Sequence, residues 1–387
     1  MFDVVKYVAV IRPDSVRVWK DRHILEKLSW YVKVMRGVAP PKYVLVKNLP
    51  AELRLSELTQ MSFEDLMNYH TKLQNSFKSF WLEVMNSSNP WKGVKLEGLN
   101  ETTFLDVKIE LLNKVLNRCE LCEWRCGVNR NKGEVGFCRV VGSDAYVDNY
   151  FHHVGEEAPL VPSGTIFYVG CNFRCVYCQN WSISQRSPNP VEHVDEVSLA
   201  NIQEWLSTTG SKNINHVGGE PTPNMLTIIK SLKHLKIKTP QLWNSNMYMS
   251  MTAMKVLEDV IDIWLPDLKY GNNECGLKYS LVKNYFDIVT RNIKEAHENG
   301  DMIIRHLILP GHVECCTRKV LEWTSNNVKR AIVNIMDQYR PEYLVLKYPD
   351  RWREINRRIS LEELNKAYNI AREYGYEGPV EDLWYIR

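Results

Sequence analysis

From residue 164 the chain alternates short apolar runs with longer segments of helical periodicity. "GTIFYVG" is an apolar run of strand length. After it, "NINHVGGE" precedes the helical "PNMLTIIKSLKHL", and "QLWNSN" precedes "MTAMKVLEDVI". "DIWLPDLKYG" leads into "KYSLVKNYFDIVTRNIKEAHENG", "DMIIRHLILPGH" into "TRKVLEWTSNNVK", and "RAIVNIMDQYRP" closes the series. The pattern predicts six strands, near residues 164, 214, 241, 262, 301 and 330, with helices between most of them. Strands alternating with helices predict right-handed βαβ units and a parallel sheet. Six units fall short of the eight that close a full barrel. The fold class expected is therefore α/β, as an open sheet or a partial barrel.

The flanks carry other patterns. Residues 1–110 read as a mainly helical N-terminal region, in which "EDLMNYHTKLQNSFKSFWLEVM" has apolar residues near i, i+3, i+4 and i+7. Residues 111–160 hold four cysteines around a polar, glycine-bearing loop, "GVNRNKGEVG". Residues 161–345 form the α/β unit. Residues 346–387 read as a helical extension, where Ser360 stands three residues before Glu363 as a capping-box signal.

In parallel sheets ligands bind at the carboxyl ends of the strands, and the polar residues cluster there. Cys171 follows the first strand. Gly218, Gly219 and Glu220 end the second, and Asn244, Ser245 and Asn246 the third. Asp267 and Lys269 end the fourth, Arg305 to His312 the fifth, and Gln338 with Arg340 the sixth. One site is expected to collect them.

Composition narrows the class. The 387 residues are 44% hydrophobic and 25% charged, ordinary for a globular protein. A net charge of +3 predicts neither nucleic acid nor an acidic membrane as partner. "MFDVVKYVAVIRPDSVRVWK" lacks the apolar centre of a signal peptide, and no run approaches the roughly 18 apolar residues of a membrane helix. The expected location is cytoplasmic, where thiols stay reduced. Seven of the ten cysteines fall into two groups: Cys119, Cys122, Cys126 and Cys138, then Cys171, Cys175 and Cys178. Such clustering predicts metal. Cys275, Cys315 and Cys316 read instead as inert thiols, because adjacent cysteines are poorly placed to share one ion. Trp181 and Glu314 are expected near the site.

Cys171, Cys175 and Cys178 give three soft ligands in eight residues. A structural zinc site closes with four ligands, which His152, His153 or an upstream cysteine would complete. A cubane iron–sulfur cluster on three thiolates instead leaves one iron open to a chelating small molecule. The upstream four thiolates suffice to close a site, as structural zinc or as a second iron–sulfur cluster.

The spacing CxxxCx(aromatic)C, with Tyr177 as the aromatic residue, resembles the signature of radical S-adenosylmethionine (SAM) enzymes. More narrowly, "CELCEWRCGVNRNKGEVGFC", "GCNFRCVYCQNW", "HVGGEPTPN", "WNSNMYMS", "DIWLPDLKYG", "RHLILPGH" and "IMDQYRP" resemble, in that order, motifs of the group related to pyruvate formate-lyase activating enzyme. The resemblance spans roughly residues 117–375. It implies a six-unit (β/α) partial barrel and a 4Fe–4S cluster on Cys171, Cys175 and Cys178. SAM would bind the open iron and, on one-electron reduction, yield a 5′-deoxyadenosyl radical that abstracts hydrogen. By the same resemblance Tyr177 presents its backbone to the adenine, and Gly218, Gly219 and Glu220 receive the SAM ammonium. Asn244 and Ser245 hold the ribose, Asp267 and Lys269 serve the SAM carboxylate, and Arg305 and His306 are further contacts. It also implies an electron donor such as ferredoxin or flavodoxin. The substrate would be a protein, a peptide or a small molecule, with glycyl-radical activation of a partner among the reactions. The competing expectation is a non-catalytic, zinc-braced binding module.

Overall fold

The computed structural model describes residues 4–387, and in it the six apolar runs are six parallel strands. In chain order the strands are β1 (Ala145–His153), β2 (Ser163–Tyr168), β3 (His193–Val194), β4 (Asn213–Gly218) and β5 (Gln241–Ser245). They continue as β6 (Ile263–Pro266), β7 (Asp301–Leu307), β8 (Ile332–Met336), β9 (Glu377–Val380) and β10 (Leu383–Tyr385). One sheet contains all ten in the order β3-β1-β2-β4-β5-β6-β7-β8-β10-β9. From β2 to β8 every neighbouring pair is parallel. Helices such as Met225–Ser231, Met251–Glu258 and Tyr285–Glu298 connect them, the crossover that parallel pairing requires. β1 extends one side and β10 the other, both antiparallel. The sheet ends at β3 and β9 without closing, so the barrel is partial.

The C-terminal extension differs from the helical reading. The helix Leu361–Glu373 starts at the expected box, Glu363 N donating to Ser360 Oγ at 3.2 Å and Ser360 N to Glu363 Oε2 at 2.8 Å. Beyond it the chain returns as β9 and β10. The hairpin turns on Glu381 and Asp382, both at positive φ (46° and 67°), and β10 buries Trp384 while pairing with β8. Neither strand exceeds four residues, too short for two-residue alternation to stand out.

Alternation along the strands divides the packing. Trp243, Trp264, Ile304, Val333 and Trp384 belong to the large outer core beneath the helices. Their neighbours Leu242, Ile263, Leu265, Ile303, Ile332 and Leu383 form a separate inner core with Val18, Ile24, Leu28, Tyr31 and Val32 of the N-terminal region, the leader of the barrel. Each fully buried Leu or Ile there contributes about 1.5–3 kcal/mol. Polar anchors fix the fit at the amino ends of the strands. Trp30 Nε1 donates to Asp262 at 2.9 Å, Tyr31 N to Asp301 at 2.8 Å, and Asn213 Nδ2 to the Tyr31 hydroxyl at 3.0 Å. The leader thus stoppers one end of the barrel and leaves the carboxyl end open. Among the described residues no helix is long and apolar enough to cross a membrane.

Candidate active site at the strand ends

A cavity of about 1020 Å³ opens at the carboxyl ends of the strands. Cys171, Cys175, Tyr177 and Cys178 line it from the loop after β2, and Gly218, Gly219 and Glu220 from the end of β4. Asn244, Ser245 and Asn246 follow from β5, Asp267 and Lys269 from β6, Arg305 from β7 and Gln338 from β8. The six strand ends therefore share one space.

The cysteine loop is set by close backbone approach. Gly170 has φ +86°, and a Cβ there would stand 2.8 Å from the Cys138 carbonyl oxygen. Gly218 has φ +103°, and Cβ atoms at Gly218 and Gly219 would overlap the backbone of Tyr168 and Gly170 respectively. Only glycine allows the two strand ends to touch in this way, and the contact brings Glu220 beside the cysteines. Phe173 N donates to Cys171 Sγ at 3.3 Å. The Ser280 hydroxyl lies 3.0 Å from Cys175 Sγ, and the Ser184 hydroxyl 3.2 Å from Cys178 Sγ. Burial pushes all three thiols up, Cys175 to about 11, and neighbouring cysteines add to it at Cys171 and Cys175. Thiols held protonated in this way are poor nucleophiles and poor disulfide partners. A metal, by contrast, deprotonates coordinating thiols outright, so the donor set fits a soft metal cluster.

Opposite them, Glu220 is buried and carries a raised pKa through desolvation. Thr222 Oγ1 donates to it at 2.6 Å, Ser245 Oγ at 2.7 Å and Asn246 N at 3.0 Å, so its orientation is fixed. Lys269 Nζ meets Asp267 Oδ2 at 2.7 Å. Burial opposes its charge, but Asp267 and the Cys175 thiol outweigh burial and raise the lysine pKa. Tyr177 stands edge-on to Tyr339, with its hydroxyl 2.7 Å from that of Tyr270.

Other sequence-predicted residues fall elsewhere. His306 is not a cavity residue: between Arg305 and Leu307, which both line the space, strand alternation turns it to the opposite face. There it meets the Leu268 carbonyl at 2.8 Å and Thr317 Oγ1 at 2.9 Å, and burial lowers its pKa to about 4. Glu314 sits on the outer surface, paired with Arg318 at 2.7 Å and Lys366 at 2.9 Å. Trp181 stacks on Tyr343 outside the cavity. His152 uses both ring nitrogens on Ser211 and Thr209, whereas His153 lines the cavity.

The upstream cysteines pack against the same loop. Trp124 Nε1 donates to the Asn172 carbonyl at 2.7 Å and stacks on Phe137, which also lies under the Arg174 guanidinium. Cys119 and Cys126 share a hydrogen bond that drives the Cys126 thiol down to about 5. Burial pushes Cys122 up to about 12, with Cys138 and Cys126 close by. Cys126 thus has Cys119 and Cys122 near it, and Cys138 lies near Cys122.

Residues 165–324 match the family model described as Radical SAM superfamily. The chain is also 40% identical, over 361 residues, to the uncharacterized protein MJ0674 of Methanocaldococcus jannaschii, covering 91% of this chain and 98% of that protein. The chain belongs to the radical SAM superfamily. Another protein of that organism, uncharacterized MJ0808, is 24% identical over 69% of this chain and 84% of its own length. Among solved structures, Streptococcus suis SuiB bound to precursor peptide SuiA is 15% identical with a TM-score of 0.40, over 53% of this chain and 43% of SuiB. This chain thus spans less than half of SuiB. TYW1 with a lysine-pyruvate adduct bound is 15% identical with a TM-score of 0.37, over 57% of this chain and 79% of TYW1.

The cavity also holds residues that sequence reasoning missed. Arg305 is committed to a buried ion pair: its Nε and Nη2 donate to Glu157 at 2.7 Å each, and Nη2 also reaches Glu156. Asn334 donates to Glu157 at 2.9 Å and Asn215 to Glu156 at 3.0 Å. The signal available was the adjacent acidic pair in "GEEAP", but its arginine partner lies about 150 residues away. The rim is completed by Arg12, Asp14 and Arg17 of the leader and by Tyr368, Glu381 and Asp382 of the tail.

Proposed function

We propose that this radical SAM protein cleaves S-adenosylmethionine reductively and abstracts hydrogen from a substrate bound in the cavity. A 4Fe–4S cluster with SAM, when bound, supplies a 5′-deoxyadenosyl radical for that abstraction. Cys171, Cys175 and Cys178 hold the cluster. Glu220, oriented by Thr222, Ser245 and Asn246, is the counter-charge for the SAM ammonium, and the touching glycines Gly218 and Gly219 bring it there. Lys269, kept charged by Asp267, takes the SAM carboxylate. Asn244 and Ser245 face the ribose, and the Tyr177 backbone faces the adenine.

The single observation that carries the reading is the meeting of two buried thiols and the half-buried Cys178 with an oriented carboxylate and a half-buried ammonium in one cavity. Each feature taken alone has a bland explanation, and their shared space does not. Arg305 is not counted among the SAM contacts, because Glu156 and Glu157 already neutralise it. Assignment to the group related to pyruvate formate-lyase activating enzyme rests on the order of the motifs. On that assignment a ferredoxin or flavodoxin delivers the electron and a protein or peptide is the substrate. Cys119, Cys122, Cys126 and Cys138 form a second soft-metal site against the cluster loop.

Anaerobic reconstitution with iron and sulfide, followed by SAM and a strong reductant, tests the reading. The expected result is brown protein that releases 5′-deoxyadenosine. Colourless protein that retains only zinc, or full iron loading without nucleoside release, overturns it.

A further inference from the structure

Outside the cavity the fold gathers another set of soft ligands. Cys275 lies in the first turn of the helix Asn273–Ser280, His312 in the turn after β7, and Cys315 in the π-helical turn Val313–Arg318. One ligand atom from each lies within 4.8 Å of both others. In a tetrahedral zinc site, with bonds of about 2.0–2.3 Å, ligand atoms stand roughly 3.3–3.8 Å apart. A small side-chain adjustment closes the difference.

The surroundings hold this arrangement together. Asn272 Oδ1 accepts from Cys275 N at 2.8 Å while its Nδ2 donates to the Cys315 carbonyl at 2.9 Å, so one side chain ties both cysteine segments. His312 Nδ1 lies 2.8 Å from the Pro310 carbonyl. Metal-bound histidines commonly make this backbone contact through the nitrogen that does not bind the metal. Nε2, which faces the Tyr279 hydroxyl at 2.9 Å, is then the ligating atom. The π turn, a feature frequent at functional sites, resolves the difficulty posed by adjacent cysteines. It directs Cys315 into the set, while buried Cys316, whose Sγ lies 3.9 Å from Cys315 Sγ and from Asn272 Nδ2, stays beside the set without joining it. Cys275 is therefore not an isolated thiol.

We propose that Cys275, His312 and Cys315 bind one borderline-soft divalent cation of the zinc class. Half-buried Cys315 leaves the fourth position to solvent. Binding takes both sulfurs as thiolates and releases to solvent whatever protons they carry. The ion fastens the helix Asn273–Ser280 to the segment after β7. That helix ends at Ser280, whose hydroxyl meets both Cys175 Sγ at 3.0 Å and the Tyr270 hydroxyl at 2.7 Å. The new site thus braces an element that touches the cysteine loop, and it does not depend on the radical SAM reading.

The full chain, reconstituted with iron and sulfide and then desalted, is titrated anaerobically with Co²⁺, whose absorption reports tetrahedral sulfur–nitrogen ligation. Wild type is expected to bind about one cobalt ion that zinc displaces. Cys275→Ser, His312→Ala and Cys315→Ser are expected to bind it at least about tenfold more weakly, and Cys316→Ser as wild type. Iron content and far-UV circular dichroism identify any variant that fails to fold, and half-buried Cys315→Ser then carries the test. Wild-type cobalt binding in Cys275→Ser and Cys315→Ser, or its loss in Cys316→Ser alone, overturns the proposal.

Discussion

Gly219 and Gly170 are in backbone contact: a Cβ on Gly219 would overlap the Gly170 carbonyl oxygen and stand 3.0 Å from Ser184 Cα. Gly219 follows β4, Gly170 opens the cysteine loop, and their contact sets the distance between Glu220 and the thiols. Gly219→Ala must push the loop away from β4. Overpacking of this kind costs about 1–3 kcal/mol, and the displaced loop is expected to hold less iron. Iron per chain and Tm, measured together, check this. Full iron with an unchanged Tm would show that the two strand ends need not touch.

The metal sites proposed for the two cysteine groups can be tested separately. Replacing Cys171, Cys175 and Cys178 together by alanine is expected to abolish 5′-deoxyadenosine formation while leaving the upstream module intact. Metal analysis of the triple variant, made with Cys275→Ser added, then distinguishes its occupants: about four irons retained per chain mean a second cluster, and zinc without iron means a structural knuckle. Loss of all metal from the triple variant would contradict an independent upstream site.

The strand ends could be read from sequence because alternating apolar runs place polar residues there by rule, and all six runs are strands. The local rule fails within a strand. Arg305 and His306 are neighbours in "RHLILPGH", yet pleating turns one into the cavity and the other away. Long-range pairing was equally invisible. Nothing in "DSVRVWKDRHILEKLSW" announces that Val18, Ile24 and Leu28 stopper the barrel, because their partners are the inward faces of five distant strands. Cys275 and Cys315 lie 40 residues apart, and only the fold brings them together.

Glu220 accepts hydrogen bonds from Thr222, Ser245 and Asn246. Glu220→Gln retains its shape but turns an amide N–H₂ toward at least one of those donors. An unmade buried hydrogen bond costs about 1–3 kcal/mol, and the counter-charge is lost as well. The apparent affinity for SAM is expected to fall about 10- to 100-fold, with iron content unchanged. Equilibrium binding of SAM to the reconstituted protein provides the measurement. Wild-type affinity in the variant would remove Glu220 from the ammonium site.

Asp301 joins the barrel to its leader and sets one pH dependence of stability. Burial raises its pKa from 3.8 to about 7, against the opposing hydrogen bond from Tyr31 N and the charge of Lys42. In the native state it therefore holds a proton that the unfolded chain has already released between about pH 4 and pH 7. Where the native state binds more protons, stability falls as pH rises. The Asp301 contribution thus weakens across that window and is flat above it. Buried histidines such as His216 and His306, whose pKa values fall to about 4, act in the opposite sense, so the comparison must be made against a variant. Asp301→Asn keeps a carbonyl acceptor for Tyr31 N and removes the titration. Relative to wild type it is expected to gain on the order of 2 kcal/mol between pH 5 and pH 7.5, at about 1.4 kcal/mol per pKa unit. Urea midpoints of both proteins at the two pH values provide the test. A difference between wild type and variant that does not change with pH would mean that Asp301 is ionised in the folded barrel.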